Sequence, residues 1–73
     1  MTESERQVFM AETEVNAYLQ DYENAKTYGT PQWEIDGTIV PQIKENLRIL
    51  KTNGIDAKTL NSYNKLKYYG LVE

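Results

Sequence analysis

Cysteine and histidine are both absent from this 73-residue chain. Without cysteine, the chain can form neither a disulfide framework nor a thiolate metal site. Without histidine, it lacks the commonest general acid or base and the commonest metal ligand. Ser4 and Ser62 consequently have no histidine to activate them as nucleophiles. The sequence therefore predicts no catalytic residues, no metal site and no cofactor.

Motifs for phosphate and calcium are missing, and so are long apolar segments. The chain has no G-x-x-x-x-G-K, G-x-G-x-x-G or D-x-D-x-D-G pattern. No apolar run approaches the roughly 20 residues that span a membrane, and no signal-peptide core is present. We therefore expect a cytoplasmic protein that does not insert into a membrane.

Size and composition narrow the class further. Residues 1–73 are expected to form a single small domain, and a chain this short buries only about 60% of its unfolded surface. Binding to another protein or to a second copy would add to such limited stability. Lysine, asparagine, isoleucine and tyrosine are common, whereas arginine and proline are rare. This bias is typical of AT-rich genes and of phage early proteins; for a phage protein, the cytoplasm would be that of the host.

The N-terminal residues 1–28 are predicted to form one long acidic helix. Thr2 and Glu5 fit a capping box, with Ser4 and Gln7 as the alternative register. Apolar residues then follow at the a and d spacing of a heptad: Val8, Ala11, Val15, Tyr18, Tyr22 and Ala25. This stripe has two interpretations, a helix laid on the core of its own chain or the seam of a homodimer.

Acidic residues flank the stripe on both edges. They are Glu5 and Glu12 on one side and Glu14 and Asp21 on the other. In a parallel homodimer these like charges would repel across the seam, so the arrangement favours packing against a basic partner. Phe9 and Met10 lie off the stripe, where they are either covered by another part of the fold or exposed as an anchor for a partner.

Residues 29–40 are predicted to form a short β-hairpin or hairpin-like connection. The Asp-Gly pair at 36–37 is typical of a type I′ turn, and apolar arms flank it at 33–35 and 38–40. Arms of three residues are short for an isolated hairpin. The alternative is an irregular connection in which the two large apolar residues of the first arm fill the core.

Residues 41–73 are predicted to form a helical hairpin with a tight corner. Apolar residues recur at steps of three and four: Val40, Ile43, Leu47 and Leu50, then Leu60, Tyr63 and Leu66. Pro41 suits the first turn of the first helix, Gly54 the left-handed cap that ends it, and Asp56 the next N-cap. The predicted fold class is mainly α: a long N-terminal helix, a short β-hairpin or hairpin-like loop, and a C-terminal helix-turn-helix-like pair.

Charge is divided unequally along the chain. Residues 1–36 carry eight acidic residues against Arg6 and Lys26, whereas residues 37–73 carry three acidic against six basic residues. A negative field steers a protein towards basic surfaces, and aromatic residues are enriched in binding hot spots. We therefore predict a small regulatory protein, a phage-type inhibitor or nucleic-acid mimic, that binds a host DNA- or RNA-handling protein. The partner-binding residues would be Glu5, Glu12, Glu14, Asp21, Glu23, Tyr18, Tyr22 and Trp33, with Tyr28 as a further aromatic.

The alternative function is DNA binding by the C-terminal pair. A helix, a corner with Gly54 and a second helix have the form of a helix-turn-helix. The ending KYYGLVE resembles the way winged helix-turn-helix domains leave their recognition helix. The resemblance implies that helix 57–69 enters a major groove, with lysines on phosphates and an asparagine on an adenine edge. Its outward residues are Lys58, Thr59, Asn61, Ser62 and Lys65. The net charge of −3 counts against this function, because phosphate contacts dominate DNA affinity.

Overall fold

Two long antiparallel helices form the frame of the molecule in a computed structural model that describes all residues, 1–73. Helix α1 spans Glu3–Thr27 and helix α2 spans Gln32–Thr52, followed by a 3₁₀ turn at Ala57–Thr59 and helix α3 at Tyr63–Tyr68. The end of α2 lies beside the start of α1, where Ser4 Oγ donates a 2.7 Å hydrogen bond to Asn53 Oδ1. The molecule is 40 Å long, close to the length of α1 alone.

Helix α1 begins and packs as its sequence predicts. The capping box uses the Thr2 register: the Glu5 N–H donates to Thr2 Oγ1 at 3.0 Å, and the Thr2 N–H donates to Glu5 Oε1 at 3.1 Å. The apolar stripe faces the core of its own chain: three of its side chains, Ala11, Val15 and Tyr22, are buried, and so is Leu19 beside it. The stripe is therefore covered by other residues of its own chain.

The hairpin predicted at 29–40 is wrong, because α2 begins at Gln32 and includes both predicted arms, 33–35 and 38–40. Ile35 and Ile39 continue the helical spacing of Ile43 backwards, and this face packs on α1. Burial of that continuous face outweighs the local turn preference of the Asp-Gly pair and the cost of about 1 kcal/mol for glycine inside a helix. Pro41 consequently lies in the interior of α2 and not in its first turn.

The corner after α2 has the predicted chemistry. Gly54 adopts a φ of 82°, and its N–H donates to the Lys51 carbonyl at 3.0 Å while the Ile55 N–H reaches the Leu50 carbonyl at 2.9 Å. These two bonds form a Schellman motif, which requires a left-handed backbone conformation at the position that Gly54 occupies. Asp56 then caps the 3₁₀ turn, because its Oδ1 accepts the Lys58 N–H at 3.0 Å.

The predicted continuous helix over 57–69 is also wrong. The chain leaves the 3₁₀ turn at Leu60 with extended dihedral angles, φ −77° and ψ 142°, and becomes helical again only at Tyr63. Asparagine and serine at 61–62 favour local turns over helix interiors, which helps to explain the break.

The core lies where α1, α2 and α3 meet. Its largest fully buried side chains are Ile35, Ile43, Leu50, Leu66 and Val15. Leu47 and Leu60, predicted to face inward, are half-buried at the edge of this cluster. The C-terminal residues fold back towards α2 and place Leu71 in the core. None of the helices combines the length and apolar character needed to cross a bilayer.

Candidate functional site

The predicted partner-binding aromatics separate into buried and exposed residues. Tyr22 is only 4% exposed and belongs to the core, and Tyr18 is half-buried beside it. Trp33 and Tyr28 are 76% and 86% exposed, respectively. The fold therefore removes Tyr22 from the predicted surface and leaves Trp33 and Tyr28 as its accessible aromatic side chains.

Two of the predicted acidic residues are engaged within the chain. Glu5 completes the capping box, and the hydrogen bond from the Thr2 backbone lowers the pKa of its carboxyl. Glu23 accepts hydrogen bonds from Lys65 Nζ at 3.2 Å and from the Tyr69 hydroxyl at 3.0 Å. Three predicted acids make no hydrogen bond or ion pair with the rest of the chain and are available to a partner. They are Glu12, Glu14 and Asp21, of which Glu12 is half-buried and the other two are exposed.

The bonds to Glu23 tie α3 to α1. The hydrogen bond to Glu23 raises the pKa of Tyr69, because ionised phenol would face the carboxylate. The Tyr69 ring also packs on Tyr22, with ring centroids 4.7 Å apart. Lys65, predicted to contact DNA, forms an ion pair with Glu23 in the structure.

The other predicted DNA-binding residues do not share one helix. Lys58 and Thr59 lie in the 3₁₀ turn, and Asn61 and Ser62 lie in the break before α3. Ser62 is half-buried as the residue before the first turn of α3. These residues do not form a recognition helix: Lys58 lines one surface depression, and Thr59, Asn61 and Ser62 line another.

The exposed aromatics occupy the corner between α1 and α2, which we call the aromatic corner (residues 28–33). Gly29 ends α1 with a second Schellman motif, in which the Thr30 N–H donates to the Ala25 carbonyl at 2.9 Å. The Gln32 side chain accepts from Lys26 Nζ at 2.7 Å and donates to Asp36 at 2.9 Å. These contacts fix the corner from both helices, so its aromatic side chains project from a rigid support.

The outer face of α1 continues from this corner and carries two carboxylates that have no hydrogen-bond or ion-pair partner within the chain. Glu14, Asp21 and Tyr28 are spaced seven residues apart, close to two helical turns, so they lie on one face at steps of about 10.5 Å. All three are exposed. Heptad spacing of these residues was visible in the sequence, but the apolar stripe beside it gave the stronger signal.

A second surface, missed by sequence reasoning, is a groove between α2 and the C-terminal residues. We call it the basic groove, because four cationic side chains line it: Lys44, Arg48, Lys51 and Lys58. The excess of basic residues after position 37 was the signal in the sequence. The groove depends on the return of residues 70–73 to α2, which no local pattern predicts.

No group of three or more acidic side chains is positioned to hold a metal ion. Comparison with protein families, curated proteins and solved structures found no match to this chain.

Proposed function

We propose that this chain is a small non-catalytic regulator that binds a basic surface of another protein through the aromatic corner and the adjoining face of α1. The observation that carries this proposal is the exposure of Trp33, at 76%, on a corner fixed by side-chain hydrogen bonds. Tryptophan is highly buried on average in folded proteins. Tryptophan and tyrosine are also the residue types most enriched in binding hot spots.

The geometry of the corner supports a single anchored contact. Trp33 and Tyr28 are five residues apart, so their backbones are separated by no more than about 18 Å. Hot-spot residues cluster near the centre of an interface. Both side chains offer large apolar area with a polar tip, which suits a surface that is wet when free and buried when bound.

The negative charge of this surface favours a basic partner. Glu14 and Asp21 extend the surface along α1 with carboxylates that are not neutralised within the chain. Residues 1–36 as a whole carry a net charge of −6. Such a field increases the rate of encounter with a basic partner and disfavours acidic ones. We extend the proposal to a phage-type inhibitor of a DNA- or RNA-handling protein in the host cytoplasm, since such proteins carry basic surfaces.

DNA binding is the alternative, and salt and nuclease separate the two. The intact chain is used for affinity capture from a bacterial lysate, with and without nuclease, and the captured protein is identified and titrated. We expect nuclease-resistant capture of one basic protein. Nuclease-sensitive capture, or binding to bare duplex with a steep salt dependence, would favour the DNA alternative.

Variants locate the contact. Trp33→Ala is expected to weaken binding about 30-fold, the effect of losing a hot-spot residue worth about 2 kcal/mol. Asp21→Lys is expected to slow association, with a smaller effect at high salt. Phe9→Ala is the matched control, because Phe9 is also an exposed aromatic residue of this chain but lies near the opposite end of α1. Full affinity in Trp33→Ala, or an equal loss in Phe9→Ala, would contradict the proposal.

A further inference from the structure

The basic groove is an open cleft between α2 and the C-terminal residues. Its volume is about 880 Å³, and its walls are α2, the corner at 54–58 and the C-terminal residues 70–73. Lys44, Arg48 and Lys51 follow one another along α2 at steps of four and three, so they form one ridge about 10.5 Å long. Lys58 lines the groove from the corner at 54–58.

Most of this positive charge is not neutralised within the chain. Arg48 forms an ion pair with Glu45 at 2.6 Å. Lys44, Lys51 and Lys58 form no ion pair, since the other two ion pairs of the chain involve Arg6 and Lys65. The groove therefore offers three free ammonium groups.

Apolar side chains lie between these cations. Leu47, Ile55 and Val72 are half-buried in the lining, and Leu71 is buried beneath them. A surface with apolar residues between unpaired cations is complementary to a segment with apolar residues between carboxylates. An amphipathic helix presents this alternation when its apolar residues recur every three or four positions.

We propose that the basic groove binds a short acidic amphipathic helix of a partner protein. The partner's apolar face would cover Leu47, Ile55 and Val72, and carboxylates seven residues apart would reach Lys44 and Lys51. Duplex DNA fits less well, because its backbone offers no apolar face to cover Leu47, Ile55 and Val72. This site is separate from the aromatic corner and opposite in sign, so the chain would bind two partners of opposite charge.

The probe is a labelled acidic peptide of about 16 residues, ~24 Å when helical, with leucine at its a and d positions and glutamate on the adjoining positions. Fluorescence anisotropy is measured with the intact chain at low and high salt. We expect saturable binding that weakens at high salt, and no binding of the same peptide with lysine in place of glutamate. Absence of binding by the acidic peptide would overturn the proposal.

Two variants and a control variant test whether the peptide binds in the basic groove. The double variant Lys44→Glu/Lys51→Glu is expected to weaken binding at least about tenfold, because two attractive charges become repulsive. Lys67→Glu is the matched control, an exposed lysine outside the groove and without an ion pair. Val72→Ser is expected to weaken binding several-fold without changing its salt dependence, since it removes only apolar contact. Circular dichroism checks that each variant keeps its helical content.

Other occupants give different results. Tighter binding of a short DNA duplex than of the acidic peptide would assign the groove to nucleic acid and overturn the proposal. Concentration-dependent dimerisation that Lys44→Glu/Lys51→Glu abolishes would assign it to a second copy of the chain. Unchanged peptide affinity in the double variant, or in Val72→Ser, would show that the peptide binds elsewhere or by charge alone. The test uses a synthetic peptide, so it succeeds or fails independently of the function proposed for the aromatic corner.

Discussion

The hydroxyl of Tyr69 donates a 3.0 Å hydrogen bond to Glu23, and through it the shortest helix of the protein is joined to the longest. The same carboxylate accepts Lys65 at 3.2 Å, so both of its oxygens are occupied by residues of α3 and its C-terminal cap. Each partner approaches from more than 40 positions away in the sequence, which no local pattern encodes.

This contact predicts a loss of stability at alkaline pH. The hydrogen bond to Glu23 raises the pKa of Tyr69 in the folded state. The folded state therefore holds the phenolic proton more tightly than the unfolded state does. Its contribution is fully present below the ordinary tyrosine pKa of about 10 and is lost as pH rises through the higher folded value. As pH rises above about 10, melting temperature should fall more steeply for the parent than for Tyr69→Phe.

Tyr68→Phe is the control for this measurement. Tyr68 adjoins Tyr69 and is 85% exposed, and its hydroxyl makes no hydrogen bond with the chain. We expect Tyr68→Phe to keep the parental pH dependence and, at neutral pH, to be more stable than Tyr69→Phe. Identical slopes for the parent and Tyr69→Phe would show that the bond to Glu23 does not contribute to stability.

Two glycines are expected to respond to alanine with opposite signs. Gly54 has a φ of 82°, so Gly54→Ala should destabilise the protein by about 1–2 kcal/mol through backbone strain. Gly37 lies inside α2, where Gly37→Ala should stabilise by roughly 0.5–1 kcal/mol. An added Cβ meets no atom within 4 Å at either site, so packing does not complicate the comparison. Urea denaturation measures both changes.

The Gly37→Ala variant also distinguishes helix from hairpin. In a type I′ turn both central residues need a positive φ, and alanine there would destabilise the turn. Destabilisation by Gly37→Ala would therefore contradict the continuous α2 helix and restore the hairpin at 33–40.

The loss of stability on truncating a core residue to alanine should increase with the burial of that residue. Leu66 is fully buried, and Leu66→Ala is expected to cost about 2–5 kcal/mol. Leu47 is half-buried at the core's edge, so Leu47→Ala should cost clearly less. Thermal melts followed by circular dichroism give both values. A larger loss for Leu47→Ala than for Leu66→Ala would mean that the core is centred on the helical hairpin predicted from sequence and not on the junction of all three elements.

The single tryptophan reports directly on the aromatic corner. Since Trp33 is 76% exposed, its emission should be close to that of free tryptophan in water and should be quenched efficiently by acrylamide. Unfolding in urea should change the emission maximum little. A blue-shifted maximum that moves on unfolding would mean that Trp33 fills the core, as in the irregular connection considered from the sequence.

Local signals in the sequence predicted the start of α1 and the end of α2 correctly. The capping box at Thr2 and the glycine corner at 54 form as predicted, because the backbone groups at a helix end are satisfied by neighbours within a few residues. The side of α1 that packs inward was likewise visible in its apolar spacing. The choice between a core face and a dimer seam needed the fold, since both use the same stripe.

The predictions from sequence were wrong where packing between residues far apart in the chain outweighs a local conformational preference. At 36–37 the Asp-Gly pair favours a turn, yet Ile35 and Ile39 are buried only if the segment is helical. At 60–62 the apolar spacing of Leu60 and Leu66 favours one helix, yet polar residues between them break it. Among the aromatics, Tyr22 lies on the apolar stripe of α1 and is buried, whereas Tyr28 caps the end of α1 and is exposed.

The brevity of α3 has a consequence for how the molecule comes apart. A six-residue helix has almost no stability of its own, so it persists only while docked on the α1–α2 pair. The long pair closes across a four-residue loop and can form early, with the third segment added afterwards. Amide exchange should therefore be fastest over the last fifteen or so residues and slowest at the middle of α1 and α2. The C-terminal segment is therefore expected to unfold locally before the α1–α2 pair does.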